Sequence, residues 1–262
     1  MGLESERRKK TILDILEANW EVTIPQLAEQ FSVSAVTIRR DMGSLARAGK
    51  VLRTYGGAVR SRGVLYEFSF NEKLRKNIRE KEAIGKLAAS FICEGETVLL
   101  DTGTTTLQIA KHLAGKHRIT VITASLPIVS ALAGNTGITT ILLGGELQIG
   151  GYDLVGPITE RQLEQIHVDK SFQGADGIDP DQGFYTTDFK LARVAELMRS
   201  AARQVFIVAD AGKFGKKSLA PFGRIEDADV IITSEGIGED VVQTLKEKGA
   251  EVLVAPSRGG TV

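Results

Sequence analysis

Residues 97–113 read TVLLDTGTTTLQIAKHL, and this stretch decides the fold of most of the chain. Its first four residues, 97–100, are apolar or β-branched and predict a buried strand. A loop of small polar residues follows. Leu107, Ile109 and Leu113 then recur at the spacing of a helix that packs one side on a core. A strand that passes through a short loop into a helix is the repeating unit of α/β proteins with a parallel sheet.

The same alternation continues on both sides of this stretch. Nearly continuous apolar strands between helix-like segments indicate a mostly parallel, Rossmann-like sheet that is buried on both faces. A charged helix over 71–91 is predicted to lead into this region, after a linker at 63–70 without periodicity. The further strands are predicted at 119–123, 138–143, 171–174, 205–209, 230–233 and 251–254.

The loop after the first predicted strand is suited to hold a phosphate. Small residues expose main-chain N–H groups at the positive end of the next helix, and threonine hydroxyls add further donors. The loop matches neither a Walker sequence nor a dinucleotide fingerprint. An ordinary helix N-cap is the alternative reading. The candidate residues are Asp101, Thr102, Gly103, Thr104 and Thr105.

Polar residues also follow three other predicted strands. Asp176 and Asp179 follow one strand, Lys213 follows another, and Gly144 lies at the end of a third. The carboxyl ends of parallel strands share one edge, where ligands of open α/β sheets bind. A lysine suits a phosphate and aspartates suit sugar hydroxyls, so the set that includes Asp101 predicts a sugar-phosphate site. Taken singly, each acid is equally compatible with a solvated loop.

The first sixty residues predict a separate, small helical unit. One helix is expected over 4–19, a second near Pro25, and a third from the N-cap Ser34 to about Ala48. Two short extended runs, 51–53 and 58–60, flank Tyr55–Gly56–Gly57 and predict a hairpin. The order of these elements is typical of a winged helix–turn–helix domain.

The third predicted helix presents a face suited to DNA. With Ile38 directed inward, Met42 and Leu45 lie on the same inward stripe. The arginines of this helix then lie on the outward face or its flanks. Arginine bridges guanine O6 and N7, and an apolar side chain contacts the thymine methyl. Asp41 is expected to orient a neighbouring arginine or to pack locally, and a solvated helix face remains the alternative for the whole surface. The candidate DNA-binding residues are Ser34, Val36, Thr37, Arg39, Arg40, Arg47, Arg53 and Arg60.

The net charge is zero, but the charges are segregated. Residues 1–82 hold 16 Lys and Arg against 11 Asp and Glu, a net of +5. Residues 83–262 hold 17 against 22, a net of −5. This pattern favours a polyanion partner for the N-terminal part, with chance segregation of surface charge as the alternative.

Composition excludes several classes of protein. No apolar run approaches the ~18 residues of a membrane span, and the charged N-terminus lacks the apolar core of a signal peptide. The single Cys93 excludes an internal disulfide and a multi-cysteine zinc site. The three histidines show no metal-ligand spacing. We therefore expect a cytoplasmic protein with no metal, no cofactor and no membrane partner.

The N-terminal pattern resembles the DeoR/GlpR-type bacterial transcription regulators. The resemblance rests on VSAVTIRRD at 33–41, followed by Leu45, Gly49, Arg53 and the glycines before Ala58. It departs from the family pattern in two places: Trp20–Glu21 where many members have glycine, and Met42 where leucine is usual. Neither position lies on the predicted DNA face.

The C-terminal half resembles the effector domain of the same family, which is similar in fold to ribose-5-phosphate isomerases and glucosamine-6-phosphate deaminases. The resemblance implies that residues 102–105 hold a phosphate with help from Lys213, and that Asp176 and Asp179 meet the sugar. Arg193 departs from the glutamate of several relatives, which puts in doubt which end of an effector is preferred.

Together these observations predict a multi-domain regulator, with an α+β winged helix–turn–helix at 1–60, a linker at 61–76 and an α/β effector domain at 77–255. We expect it to bind double-stranded operator DNA as a homo-oligomer, a dimer or tetramer, because such modules read paired half-sites. The resemblance implies repression of a carbohydrate operon and release by a phosphorylated sugar or polyol. A sugar-phosphate isomerase fused to a DNA-binding module is the alternative, although the isomerase's glycine-rich stretch has no clear counterpart.

Overall fold

A computed structural model describes residues 2–19, 21–48, 50–53, 57–60, 70, 73–148 and 152–256 of the chain. The chain divides into two compact units, Met1–Ser69 and Phe70–Val262. Among the described residues, no helix is both long and apolar enough to cross a membrane.

The N-terminal unit contains the three predicted helices and the predicted hairpin. Its hairpin strands pair antiparallel, and a third strand, which the sequence did not predict, joins them in the order β1-β3-β2. Three residues are too few to display an alternating pattern, so this strand became visible only through its partner. The elements are α1 (Gly2–Asn19), β1 (Glu21–Thr23), α2 (Ile24–Gln30), α3 (Ala35–Arg47), β2 (Val51–Arg53) and β3 (Gly57–Arg60).

Local sequence explains the ends of these helices. Thr23 caps α2 in a capping box with Gln26, and a proline stands in the first turn. The Ser34 hydroxyl accepts a hydrogen bond from the Thr37 main-chain N–H and caps α3. The predicted inward stripe of α3 is confirmed, and it packs with α1 and α2 in one apolar core of Ile12, Leu16, Leu27, Ile38, Met42 and Leu45.

The C-terminal unit is built on a seven-stranded sheet in the order β15-β14-β12-β9-β4-β5-β6, and every neighbouring pair is parallel. All seven strands were predicted, with ends that differ by zero to three residues. The strands are β4 (Thr97–Leu100), β5 (Ile119–Thr123), β6 (Ile138–Leu142), β9 (Val168–Gly174), β12 (Ala202–Val208), β14 (Val230–Ser234) and β15 (Glu251–Ala255).

Helices cover both faces of this sheet. Phe206 and Val208 of β12 pack in one apolar cluster with α4, α5 and α6, whereas Val205 and Ile207 pack in another with α8 and α9. Successive side chains of a strand point to opposite faces, and burying each large one contributes about 1.5–3 kcal/mol. The helices are α4 (Ile78–Ser90), α5 (Thr106–Lys111), α6 (Leu126–Leu132), α7 (Pro157–Leu163), α8 (Phe189–Ala201) and α9 (Glu239–Glu247).

The prediction of one continuous helix over 71–91 is wrong for the first part of that range. Residues 73–75 are helical, but Asn77 adopts a left-handed conformation with φ 53°, and α4 begins only at Ile78. Lys81, which is buried, donates from Nζ to the main-chain oxygens of Lys73 and Lys76. These bonds hold the break in place, and helical periodicity alone could not reveal them. The predicted linker lies outside the described residues except for residue 70.

Two small antiparallel sheets complete the C-terminal unit, and neither was predicted. The first has the order β10-β11-β13, from Gly177–Asp179, Gly183–Thr186 and Ala220–Gly223; the second pairs β7 (Glu146–Gln148) with β8 (Asp153–Val155). Gly183 has φ +122°, and a Cβ there would lie 2.0 Å from the Gly223 main-chain oxygen, so glycine is required. The segment after β9, expected to be a loop, therefore contains a strand.

Candidate functional site

The outer face of α3 carries the basic side chains that the sequence placed there. Val36 is 69% exposed, and Arg39, Arg40 and Arg47 are exposed. Thr37 is half-buried, and its hydroxyl lies 2.9 Å from the Ser34 hydroxyl in the helix cap. The face is thus open to a groove of DNA, with its first turn held by the cap.

Asp41 fixes α3 from the opposite side. Its carboxylate, 5% exposed, accepts hydrogen bonds from Arg8 Nε at 2.6 Å and Ser5 Oγ at 2.8 Å. Both partners belong to α1, so Asp41 packs locally; the described contacts give no support to the alternative that it orients Arg39 or Arg40. The structure thereby leaves those two arginines available to an external partner.

The main chain after α3 forms the predicted hairpin. Arg53 of β2 pairs with Ala58 of β3, and Val51 pairs with Arg60. The side chains of Arg53 and Arg60 lie outside the described part of the structure, as does the turn at 54–56. Their contact with DNA therefore stays a prediction.

In the C-terminal unit, three neighbouring strands bring their following loops to one edge. Strands β12, β9 and β4 are adjacent in the sheet, and Lys213, Asp176 and Asp101 come after them in turn. This adjacency places residues from three distant parts of the sequence along one carboxyl edge, which is where α/β sheets bind ligands.

The Asp176 carboxylate contacts two lysines and a threonine at this edge. Its Oδ1 lies 2.7 Å from Lys73 Nζ and 3.5 Å from Lys213 Nζ, and its Oδ2 accepts from the Thr186 hydroxyl at 3.4 Å. Burial raises the pKa of Asp176, but the two ammonium charges outweigh it and hold the pKa below its ordinary value. Asp176 is therefore an anion that two cations share.

Asp101 has a different environment. It is 9% exposed, its Oδ1 accepts from the Thr102 main-chain N–H at 2.7 Å, and its Oδ2 accepts from the Gly174 N–H at 3.1 Å. Burial raises its pKa to about 7 despite these bonds. Asp101 thus ties the 102–105 loop to the end of β9.

The 102–105 loop has main-chain N–H groups without acceptors, although Thr104 and Thr105 are only 8% and 9% exposed. In the described part of the chain, the N–H groups of Gly103, Thr104 and Thr105 donate to no acceptor. The Gly103 oxygen accepts from Leu107 N and from the Thr106 hydroxyl, both at 3.1 Å, so the loop has a fixed shape. Three unused donors at the start of a helix suit an anion.

Gly144 and Asp179 have other partners. The Gly144 N–H donates to Gln162 Oε1 at 3.0 Å, and its oxygen accepts from the Thr159 hydroxyl at 2.7 Å. Asp179 accepts from the main-chain N–H groups of the 179–182 turn and pairs with Lys217 at 3.2 Å. No described contact joins either residue to Asp176, so their effector roles stay predictions.

Sequence reasoning missed four residues of this edge. Asn77 Nδ2 donates to Asp210 Oδ1 at 2.8 Å, and Lys73 pairs with Asp176, as given above. Asp153 is buried close enough to Asp101 for their charges to interact. Asp210, which directly follows a predicted strand, carried a readable signal. Lys73, Asn77 and Asp153 carried none, because they lie outside the loops that follow the sheet strands.

Arg193, the departure noted in the sequence, faces acids of two helices. Its guanidinium lies 3.3 Å from Glu196, 3.6 Å from Glu164 and 3.8 Å from Glu160. These ion pairs connect α8 to α7 and to the residue that follows it.

A winged helix–turn–helix unit followed by an α/β unit with a charged ligand edge defines a DNA-binding transcription regulator with a sensor domain. Residues 8–62 match the DeoR-like helix-turn-helix domain, and residues 76–235 match the DeoR C terminal sensor domain. The chain belongs to the DeoR family.

Relatives are similar over nearly the whole chain. The transcriptional repressor AccR of Agrobacterium fabrum is 37% identical over 93% of this chain and 95% of that protein. The HTH-type transcriptional repressor GlcR of Bacillus subtilis is 33% identical over 97% and 98%. A relative from Escherichia coli O157:H7, 32% identical over 95% and 93%, has a name that assigns it to repression of the aga operon.

Among solved structures, ribose 5-phosphate isomerase A from Neisseria gonorrhoeae is similar with a TM-score of 0.38 and 18% sequence identity. The similarity covers 51% of this chain and 52% of that chain.

Proposed function

We propose that this DeoR-family regulator represses a carbohydrate operon and leaves its operator when a phosphorylated sugar or polyol binds the sensor domain. The observation that carries the proposal is the pairing, at one sheet edge, of three unused N–H donors with an aspartate held between two lysines. The name of the Escherichia coli relative, a repressor of the aga operon, supports repression of an operon. A reader of chromosomal DNA would work in the cytoplasm.

For the DNA side, we propose that α3 lies in the major groove. Arg40 and Arg47 would reach base edges or phosphates from the exposed face, while Asp41 holds the helix on α1. Arg53 and Arg60 of the hairpin would contact the backbone or the minor groove. One such module offers few contacts, so a homo-oligomer on paired half-sites is part of the proposal.

For the effector side, the chemistry divides the edge into two parts. The N–H groups of residues 103–105 and the ammonium of Lys213 suit a phosphate, which needs donors and positive charge. Asp176, an anion with hydrogen-bond acceptors, suits sugar hydroxyls. Asp179 and Gly144 would contribute only after a rearrangement of their present bonds.

The first residues of the C-terminal unit, which are close in sequence to the DNA-binding unit, offer a route for the signal. Phe70 packs edge-on against Tyr152 with ring centroids 6.1 Å apart, Lys73 pairs with Asp176, and Asn77 bonds to Asp210. A sugar hydroxyl that binds Asp176 would compete with Lys73. An effector shifts a regulator only if it prefers one arrangement, and a preference of about 1–3 kcal/mol changes operator affinity roughly 5- to 150-fold.

An isomerase activity is the less favoured alternative. Isomerisation requires a carboxylate base at the substrate carbons. Asp176 is a weak base because two lysines hold its pKa low, and both oxygens of Asp101 already accept main-chain hydrogen bonds. The relatives carry the names of regulators. We therefore propose that the chain is not an enzyme.

Thermal unfolding of the full chain tests this proposal. The protein would be heated with each member of a panel of sugar phosphates, with the unphosphorylated sugars as matched controls. A ligand at ~100 times its Kd adds about 2.7 kcal/mol, which raises the Tm of a domain of this size by several degrees. A rise with a phosphorylated member alone is expected. No rise with any sugar phosphate would contradict the effector part of the proposal.

A further inference from the structure

Asp153 is a buried carboxyl group that the fold does not fully satisfy. It begins β8 and is buried, with 6% of the residue exposed. Among the described residues, Asp153 Oδ1 has no hydrogen-bond partner. A buried polar atom without a partner destabilises the fold, so native proteins rarely retain one without a reason.

Backbone contacts place Asp153 at the ligand edge. It bridges to Ser125, which follows β5, and the Leu154 N–H donates to the Ala124 oxygen at 2.8 Å. These contacts attach the short β8 strand to the carboxyl end of β5, next to β4 and its loop. The position is therefore set by main-chain pairing and not by the side chain itself.

The groups around the Asp153 carboxyl belong to the proposed effector site. Burial and the charges of Asp101 and Asp176 raise its pKa to about 8, against the opposing effects of Lys73 and of hydrogen bonding by the Thr102 side chain. One neighbour, Thr102, is in the proposed phosphate loop, and two others, Lys73 and Asp176, are in the proposed sugar-binding part. Asp153 thus stands between the two parts.

We propose that Asp153 is a further ligand residue of the effector site, and that its Oδ1 accepts a hydrogen bond from a hydroxyl group of the phosphorylated sugar or polyol. This inference rests on the proposed function. The ligand then supplies the hydrogen-bond donor that Oδ1 lacks, and Asp153 selects for a ligand with a hydroxyl group near the phosphate. A ligand that has a phosphate but no carbon chain has no such hydroxyl, and its affinity does not depend on Asp153.

Binding to the full chain tests the inference with two probes. The first is the sugar phosphate that most stabilises the wild-type protein in the panel, and the second is inorganic phosphate, measured by its displacement of the first. The variants are Asp153→Ala and Asp153→Asn, of which Asn keeps the shape of the side chain and its acceptor oxygen. Asp240→Asn, an exposed position on α9, is the control for the same change of charge.

We expect Asp153→Ala to lower the affinity for the sugar phosphate about tenfold and the affinity for inorganic phosphate less than twofold. Asp153→Asn should recover part of the lost affinity for the sugar phosphate. Unchanged sugar-phosphate affinity in both variants would overturn the inference and leave the proposed function intact. An equal loss of affinity for both probes would also overturn the inference, because Asp153 would then act only through the shape of the loop. If no sugar phosphate binds the wild-type protein, the proposed function itself fails, and this inference fails with it.

Discussion

Lys73 Nζ lies 2.7 Å from Asp176 Oδ1, although the two residues are 103 positions apart in the sequence. The lysine belongs to the start of the C-terminal unit, close in sequence to the DNA-binding unit, and the aspartate belongs to the carboxyl edge of the sheet, where we propose the effector site. A ligand that engages Asp176 must therefore compete with this ammonium group.

Lys73→Met removes the competing cation and keeps most of the apolar stem. We expect the variant to bind the sugar phosphate at least as tightly as the wild-type protein, because no ammonium group has to be displaced. The ratio of operator affinities without and with effector should fall toward one, since binding no longer moves the segment that holds Lys73. Lys190→Met, which breaks the exposed Lys190–Glu146 pair, is the control. A normal induction ratio in Lys73→Met would contradict the route through Lys73.

Arg40→Ala tests the DNA face of α3. If Arg40 contacts a base, operator affinity should fall by about 1–3 kcal/mol and sequence preference at one position should relax. The measurement is a binding titration on a site selected from random DNA by the wild-type protein, with unselected DNA as the comparison. Equal weakening on both DNAs would instead assign Arg40 to a phosphate.

Lys213→Ala tests the phosphate part of the ligand edge. A charge-assisted hydrogen bond is worth about 1.5–3 kcal/mol, so the affinity for the sugar phosphate should fall at least tenfold. The affinity for operator DNA without effector should stay the same. Calorimetric titration with the sugar phosphate and a binding titration with operator DNA check this. Unchanged affinity for the sugar phosphate would show that Lys213 does not meet the phosphate.

Asp153→Asn tests the effect of the buried acids on stability. Because burial raises the folded-state pKa of Asp153 to about 8 from an ordinary value of 3.8, the folded protein retains a proton that the unfolded chain has lost. Wild-type stability should then fall as pH rises from about 4 to 8. The variant should match the wild-type protein near pH 4 and be more stable than it at pH 8, because each pKa unit of the difference between the folded and unfolded states is worth about 1.36 kcal/mol.

The Tm of the full chain measured across this pH range checks the prediction. Asp101, whose pKa is raised to about 7, keeps part of the pH dependence in the variant. Parallel curves for the two proteins would mean that Asp153 is ionised in the folded state at neutral pH.

The sequence predicted the elements of the fold because their signals are local. Seven apolar runs became the seven strands of one parallel sheet, since a strand buried on both faces has few polar residues. The stripe of Ile38, Met42 and Leu45, together with the cap at Ser34, defined α3 and its outward face before any contact was known. The family resemblance rested on the same short motifs, and the matches over 8–62 and 76–235 confirm it.

The missed features depend on contacts that a local pattern does not contain. The break at Asn77 interrupts a helix whose periodicity continues on both sides, and it is held by Lys81 and Asp210. The strands β1, β7 and β8 have three residues each, which is shorter than one clear alternation. Their existence depends on the partner strands that hydrogen-bond to them.

What the sequence by itself determined is the two-part architecture, the basic face of α3 and the loops that follow β4, β9 and β12. Only the tertiary structure decided which side chains meet there. The strand order places β9 between β12 and β4, which brings Asp176 within reach of Lys213 and beside Asp101. The turn at Asn77 and the β7–β8 pairing then add Lys73 and Asp153. The physical reason is that periodicity reports which face of an element is buried, whereas distances between elements depend on how the whole chain packs.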